Sequence, residues 1–201
     1  MSLRHARALA LALPLLLTAC ATVPPPAPGN AEAAAGRRFQ ETIDIGGRLS
    51  VRYFANGKEE ALHGSFTWSQ TPARTTVTLL SPLGQVMAVI DVDAEGATLR
   101  QAGQPVRSAP DVDALTADTL GWPLPVSGLR DWLQGFALDA SGRRVAASPA
   151  HDQVTSRDGW RIHYVNWQDP ENRPKRIDLA RSTQHAGDVS LRIVIDSWQT
   201  R

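Results

Sequence analysis

From Ile43 onward the chain alternates apolar and polar residues with a period of two. Leu49, Val51 and Tyr53 interleave with Arg48, Ser50 and Arg52, and Leu62, Gly64, Phe66 and Trp68 interleave with His63, Ser65 and Thr67. Val77 and Leu79 alternate with Thr76 and Thr78, and Val86, Ala88, Ile90 and Val92 continue the pattern. Successive side chains of a strand point to opposite faces, so this period predicts antiparallel strands with one apolar face. Asn56-Gly57, Thr71-Pro72 and Glu95-Gly96 supply the turns between them, and 96–101 adds a short strand.

The middle of the chain changes period. The spacing predicts a helix over 111–120, opened by Pro110 or Asp111 and stopped by Gly121, and a second over 127–134 ahead of Gly135, with Leu129, Trp132 and Leu133 on one side. Between them Gly121-Trp122-Pro123-Leu124-Pro125-Val126 is apolar and too rigid for either helix or strand. Alternation then resumes at Trp160, Ile162 and Tyr164, at Ile177 and Leu179, and at Leu191, Ile193 and Ile195 before Trp198. Sheet, two helices and sheet again define an α+β domain whose sheet curves around the helices into an open or closed barrel. Periodicity alone does not separate that from a sandwich.

The N-terminus does not follow these patterns. Arg4, His5 and Arg7 precede an apolar run over 8–17, the layout of a secretory signal and too short for a bilayer span of about 20 residues. The run ends Leu17-Thr18-Ala19-Cys20, which resembles the lipobox of bacterial lipoproteins, and Cys20 is the single cysteine of the chain. A lone cysteine in an exported protein has no internal disulfide partner, and lipidation accounts for it. Ala21 and Thr22 follow, with no inner-membrane-retaining aspartate, which points to the outer membrane. The expected organisation is a signal peptide (1–19), a lipidated N-terminus and proline-rich tether (20–40), and a single domain (41–201). Without Arg4 and Arg7, 19 of the 21 basic residues face 20 acidic ones. Near neutrality excludes attraction to nucleic acid as an organising force.

No catalytic constellation stands out: there is no Gly-x-Ser-x-Gly, no phosphate-binding lysine loop and no histidine pair at metal-ligand spacing. His63, His151, His163 and His185 are scattered and read as surface imidazoles, and Asp91, Asp93 and Asp196 as turn carboxylates. No enzyme activity, cofactor or metal is expected. Six tryptophans against two tyrosines suit either a large apolar core or the wall of an apolar cavity. Ser81-Pro82-Leu83-Gly84 has the composition of a tight turn, yet carries a leucine at its tip. Leu83 either folds back onto the barrel or projects to touch a membrane or partner.

An ordered set of segments resembles the LolB family of outer-membrane lipoprotein receptors. It comprises the lipobox at Cys20, Gly47-Arg48-Leu49-Ser50-Val51, Gly64-Ser65-Phe66-Thr67-Trp68-Ser69-Gln70 and Ser81-Pro82-Leu83-Gly84-Gln85. It continues with Leu120-Gly121-Trp122-Pro123-Leu124-Pro125-Val126, Leu129-Arg130-Asp131-Trp132-Leu133-Gln134-Gly135, Gly159-Trp160-Arg161-Ile162-His163-Tyr164 and Ile195-Asp196-Ser197-Trp198. The resemblance implies an unclosed β-barrel covered by short helices, with an internal apolar cavity. It implies a lipid-anchored protein of the outer membrane, facing the periplasm. Such a protein accepts lipoproteins from a LolA-type periplasmic carrier by their acyl chains and inserts them into the inner leaflet of outer-membrane phospholipid. On that reading Pro82, Leu83 and Gly84 form the membrane-contact loop, and Phe66, Trp68, Leu79, Ile90, Trp132, Ile162 and Ile193 are the expected acyl-chain wall of a monomer. The competing expectations are a scaffold lipoprotein of an outer-membrane assembly complex, with a solid core, and a lipid hydrolase, for which no nucleophile and base stand out.

Overall fold

The computed structural model describes residues 36–200 apart from 56, 169–171 and 184–186. The expected signal peptide, Cys20 and most of the tether lie outside the described residues, as do Asn56 and His185. The first six strands are β1 (Ile43–Ala55), β2 (Lys58–Gln70), β3 (Thr75–Leu80), β4 (Val86–Asp93), β5 (Gly96–Arg100) and β6 (Arg107–Ala109). Two helices follow, α1 (Val112–Leu120) and α2 (Val126–Trp132). Six further strands complete the chain: β7 (Phe136–Leu138), β8 (Arg144–Ala146), β9 (Gln153–Thr155), β10 (Arg161–Gln168), β11 (Arg173–Thr183) and β12 (Gly187–Thr200).

Among the described residues ten strands form one sheet in the order β6-β5-β4-β3-β2-β1-β12-β11-β10-β9, while β7 pairs with β8 alone. The first and last strands meet at its centre, from Ile43 opposite Thr200 to Arg52 opposite Ser190. The edges β6 and β9 do not pair with each other, so the barrel is unclosed and neither closure nor a sandwich describes it. The register of β1 against β12 shifts at Gly46 and Gly47 and leaves Asp196 unopposed, a bulge of the kind that bends a strand. A side chain at Gly47 would overlap the Val194 carbonyl and the Phe66 ring, so glycine there lets the strands approach under that ring.

The period read from the sequence is the burial pattern observed. In β12, Val189, Leu191, Ile193 and Ile195 are buried while Ser190, Arg192 and Asp196 are exposed. The buried face is covered by α1, α2 and the connector between them. Asp111 caps α1, its Oδ1 accepting from the backbone N–H groups of Asp113 (2.8 Å) and Ala114 (3.0 Å), and Gly121 ends it in the left-handed region at φ 78°. Val112 and Leu115 of α1, Trp122 and Leu124 of the connector, and Val126, Leu129 and Trp132 of α2 join one continuous apolar core with the sheet. Strands β6, β7, β8 and β9 have no counterpart in the periodicity. Each is three residues long, too short to display a period.

The last residues of the expected tether are packed against the domain. The Arg37 guanidinium, 8 % exposed, donates to the carbonyls of Gln134 (2.9 Å), Gly135 (2.6 Å), Ala147 (2.7 Å) and Asn172 (3.1 Å). It lies against the Phe136 and Trp167 rings at 5.1 and 5.2 Å, and Arg144 lies over Phe136 at 4.9 Å. Gln40 donates its N–H to Gln134 Oε1 at 2.7 Å, and Gln134 returns a bond to the Gln40 carbonyl at 3.1 Å. The folded unit therefore includes residues 37–40, which composition alone assigns to the tether. Replacing Arg37 by alanine strips several buried carbonyls of a charged donor and should destabilise the domain by about 3 kcal/mol or more in urea unfolding. Arg37→Lys should recover less than half of that, because a point charge cannot bond four carbonyls as the planar fork does.

Candidate functional site

Two apolar features outside the packed core lie at one end of the sheet. The first is the turn joining β3 to β4. The Gly84 N–H donates to the Ser81 carbonyl (2.9 Å), the Ser81 N–H to Gln85 O (2.8 Å) and the Gln85 N–H to Ser81 Oγ (3.2 Å). Pro82 presets the backbone after Ser81, and Gly84 takes the left-handed conformation that closes the turn, at φ 79°. Leu83 is left at the apex, 88 % exposed. It projects, and folding back onto the barrel is excluded. Val86 and Met87, at the start of β4, are also exposed. Pro105 and Arg107 share a surface recess with them, which puts the exposed Val106 at the same end. Leucine, valine and methionine each contribute about 1.5–3 kcal/mol when fully buried, so four partly covered ones give about 4–6 kcal/mol on a membrane. The lower figure corresponds to binding of about millimolar strength.

The second feature is an apolar hollow of about 120 Å³ between sheet and cover, walled mainly by Leu49, Leu62, Leu79, Ala88, Leu120 and Trp122. Of the expected acyl-chain wall, Leu79 lines this hollow. Phe66, Trp68, Ile90, Trp132, Ile162 and Ile193 are buried in the core that continues from it. Trp68 donates its indole N–H to Gln70 Oε1 at 3.1 Å, and Trp132 meets Trp160 edge-on at 6.3 Å. Leu49 and Leu62 carried the right alternation without being placed on the wall. Trp122 lies in the rigid connector and Leu120 just before it, and the apolar character of that stretch is the signal for them.

The cover is fastened unevenly. Arg130 of α2 pairs with Glu41 at 3.0 Å, Asp131 with Arg144 at 3.0 Å, and Gln134 clamps Gln40 from both sides. Burial pushes the Asp131 carboxyl above its ordinary range, against the pull of Arg144 and Arg130. The α1 helix is held to the sheet by apolar packing and by two long bonds from Arg107, to Asp118 O (3.4 Å) and Thr119 Oγ1 (3.3 Å). Its polar link to α2 is Asp113, which accepts from the Ser127 N–H (3.0 Å) and the Ser127 hydroxyl. Burial raises the Asp113 pKa, and the Ser127 donors oppose this.

The three aspartates expected at turns are held in strands by ion pairs, and Asp91 is largely buried. Asp91 bonds Thr76 and Arg100, Asp93 pairs with Arg74, and Asp196 with Arg48. His163 meets Asp152 at 3.4 Å with both side chains over 40 % exposed. Among the described residues no helix is long and apolar enough to cross a membrane.

An unclosed antiparallel barrel with short helices across its mouth and an apolar tip beside them defines the structural class. The family model for the outer-membrane lipoprotein LolB matches residues 41–198. The outer-membrane lipoprotein LolB of Cupriavidus necator is 41% identical over 152 residues, covering 75% of this chain and 77% of its own. That of Thiobacillus denitrificans is 39% identical over 157 residues, covering 77% and 78%. A solved LolA-superfamily protein of Nitrosomonas europaea aligns with 86% of this chain and 92% of its own at a TM-score of 0.49 and 13% identity. The chain belongs to the LolB family, and with that membership it is an outer-membrane lipoprotein and not an enzyme.

Because Asp113 titrates above its unfolded value of 3.8, the native state holds its proton longer than the unfolded chain does. Its contribution to stability is therefore fully present below pH 3.8 and lost as pH rises through the raised native value. Asp113→Asn can accept from the Ser127 N–H without that penalty. Urea midpoints measured across the acid range should show the variant gaining on the parent as pH rises, then running parallel. A difference independent of pH would refute burial as the cause.

Proposed function

We propose that this protein accepts lipoproteins from a LolA-type periplasmic carrier by their acyl chains and inserts them into the inner leaflet of the outer membrane. The observation that carries this reading is Leu83, 88 % exposed at a rigid turn beside the mouth of an apolar hollow. An exposed leucine at a hairpin tip has no folding purpose, and beside an apolar hollow it has a delivery purpose. Cys20 carries the lipid anchor and residues 21–36 the tether, after removal of 1–19. The receptor works as a monomer and recognises the lipid part common to its clients.

Three acyl chains of about 16 carbons expose over forty methylenes, so free passage through water costs more than about 30 kcal/mol at about 0.8 kcal/mol each. The chains must stay covered at every step. A hollow of about 120 Å³ is well below the roughly 300 Å³ at which ligand pockets begin, so loading acyl chains requires the cover to open. The fastening described above supports α1 and the connector as the part that swings, with α2 as the fixed side. Hand-over needs no nucleotide if the opened interior holds chains better than the carrier does and worse than the bilayer.

A resting core this well packed also favours the scaffold reading. The two separate on acyl uptake. The receptor takes up a fluorescent fatty acid and accepts a radiolabelled lipoprotein from LolA even with Cys20 replaced; a scaffold does neither, and that result would end the proposal. Leu83→Glu should leave folding and acceptance intact and cut release into liposomes at least tenfold. Normal insertion by that variant would remove the membrane role of the loop.

A further inference from the structure

Met87 occupies an irregular position in its strand. Leu79 pairs with Ala88 and Leu80 with Val86, so the β3–β4 register slips and leaves Met87 unopposed as a one-residue bulge. A bulge re-aims the side chain it carries. Here that side chain is 43 % exposed and borders two spaces at once, the apolar hollow and the surface recess of about 750 Å³ beside the hairpin. Gln101 and Thr119 are likewise common to both walls. The hollow and the outside therefore adjoin across three side chains from β4, the segment after β5, and the last turn of α1.

From this continuity we propose that Met87 gates a portal through which acyl chains leave the interior directly toward the bilayer. The inference rests on the receptor reading above and adds the route. The other two portal residues are a glutamine, on the chain after β5, and Thr119, held by one 3.3 Å bond from Arg107, so α1 can yield there without breaking an ion pair. Methionine is unbranched and polarisable and packs against hydrocarbon in many shapes, which suits a stopper that must move aside for a chain. Outside the portal the exposed Leu83, Val86 and Val106 form the apolar landing that a chain meets before lipid. The occupant is hydrocarbon, because the hollow on one side and these residues on the other are both apolar.

The experiment uses the full lipidated protein loaded with a radiolabelled lipoprotein and mixed with phospholipid liposomes. A photo-crosslinking benzoylphenylalanine is placed at position 87 and, in a separate protein, at Thr76 on the outer face of β3. Label should crosslink from position 87 during transfer and not from position 76. Met87→Glu should accept cargo and deliver it at least tenfold more slowly, with cargo accumulating on the receptor, and Met87→Leu should restore delivery. Equal crosslinking from both positions, or wild-type delivery by Met87→Glu, overturns the portal while leaving the receptor standing. Failure of the unsubstituted protein to accept cargo overturns both.

Discussion

The structure depends on covering one face of an open sheet. Ten strands bent around a common interior present a continuous apolar surface, and because β6 and β9 never meet, the sheet cannot bury that surface on itself. The segment from Asp111 to Gln134 must do so. It does so with two helices too short to be stable alone, and a connector whose Trp122 and Leu124 insert between them. The cover therefore exists by virtue of what it covers. Its strength is local: charged and amide bonds hold α2, while α1 meets the sheet through apolar packing and long bonds and is tied to α2 through Asp113. On the proposed function, that asymmetry would let a single packed domain open without a separate hinge domain.

Much of this was legible in the sequence. Period-two alternation located the eight longer and mid-length strands, and Asp111 and Gly121 marked the ends of α1 through their capping chemistry. The motif set identified the family. What was not legible follows from the same physics. Strands of three residues show no period, so β6, β7, β8 and β9 were silent. Arg37 looked like part of a tether because sequence cannot show a guanidinium finding four carbonyls contributed by distant segments. The hollow was half legible: alternation names the inward face, but which inward residues border empty space depends on packing. Trp68 and Ile90 are packed within the core, whereas Leu49 and Leu62 border the hollow.

The hairpin shows how local rules and function are reconciled. Proline presets one backbone angle, glycine allows the left-handed one, and three hydrogen bonds close the turn, so an exposed leucine is presented without a supporting core. Natural surfaces carry single exposed leucines without meaning, but here the apolar character spreads to Val86, Met87 and Val106, and a patch is informative where one residue is not.

The pinning of Arg37 also sets the length of the leash. With lipid on Cys20, as proposed, 17 positions separate the anchor from Arg37, which bounds the reach at no more than about 60 Å. A domain of this size is about 30–40 Å across, so it can turn over beneath its leaflet without straining the anchor. Tethering over such a distance gives the leucine tip an effective concentration of about millimolar at the membrane. The tip's own affinity is of the same order. On the proposed function, contact this weak would stay reversible, so the receptor would alternate between facing the bilayer and facing the periplasm without any energy source.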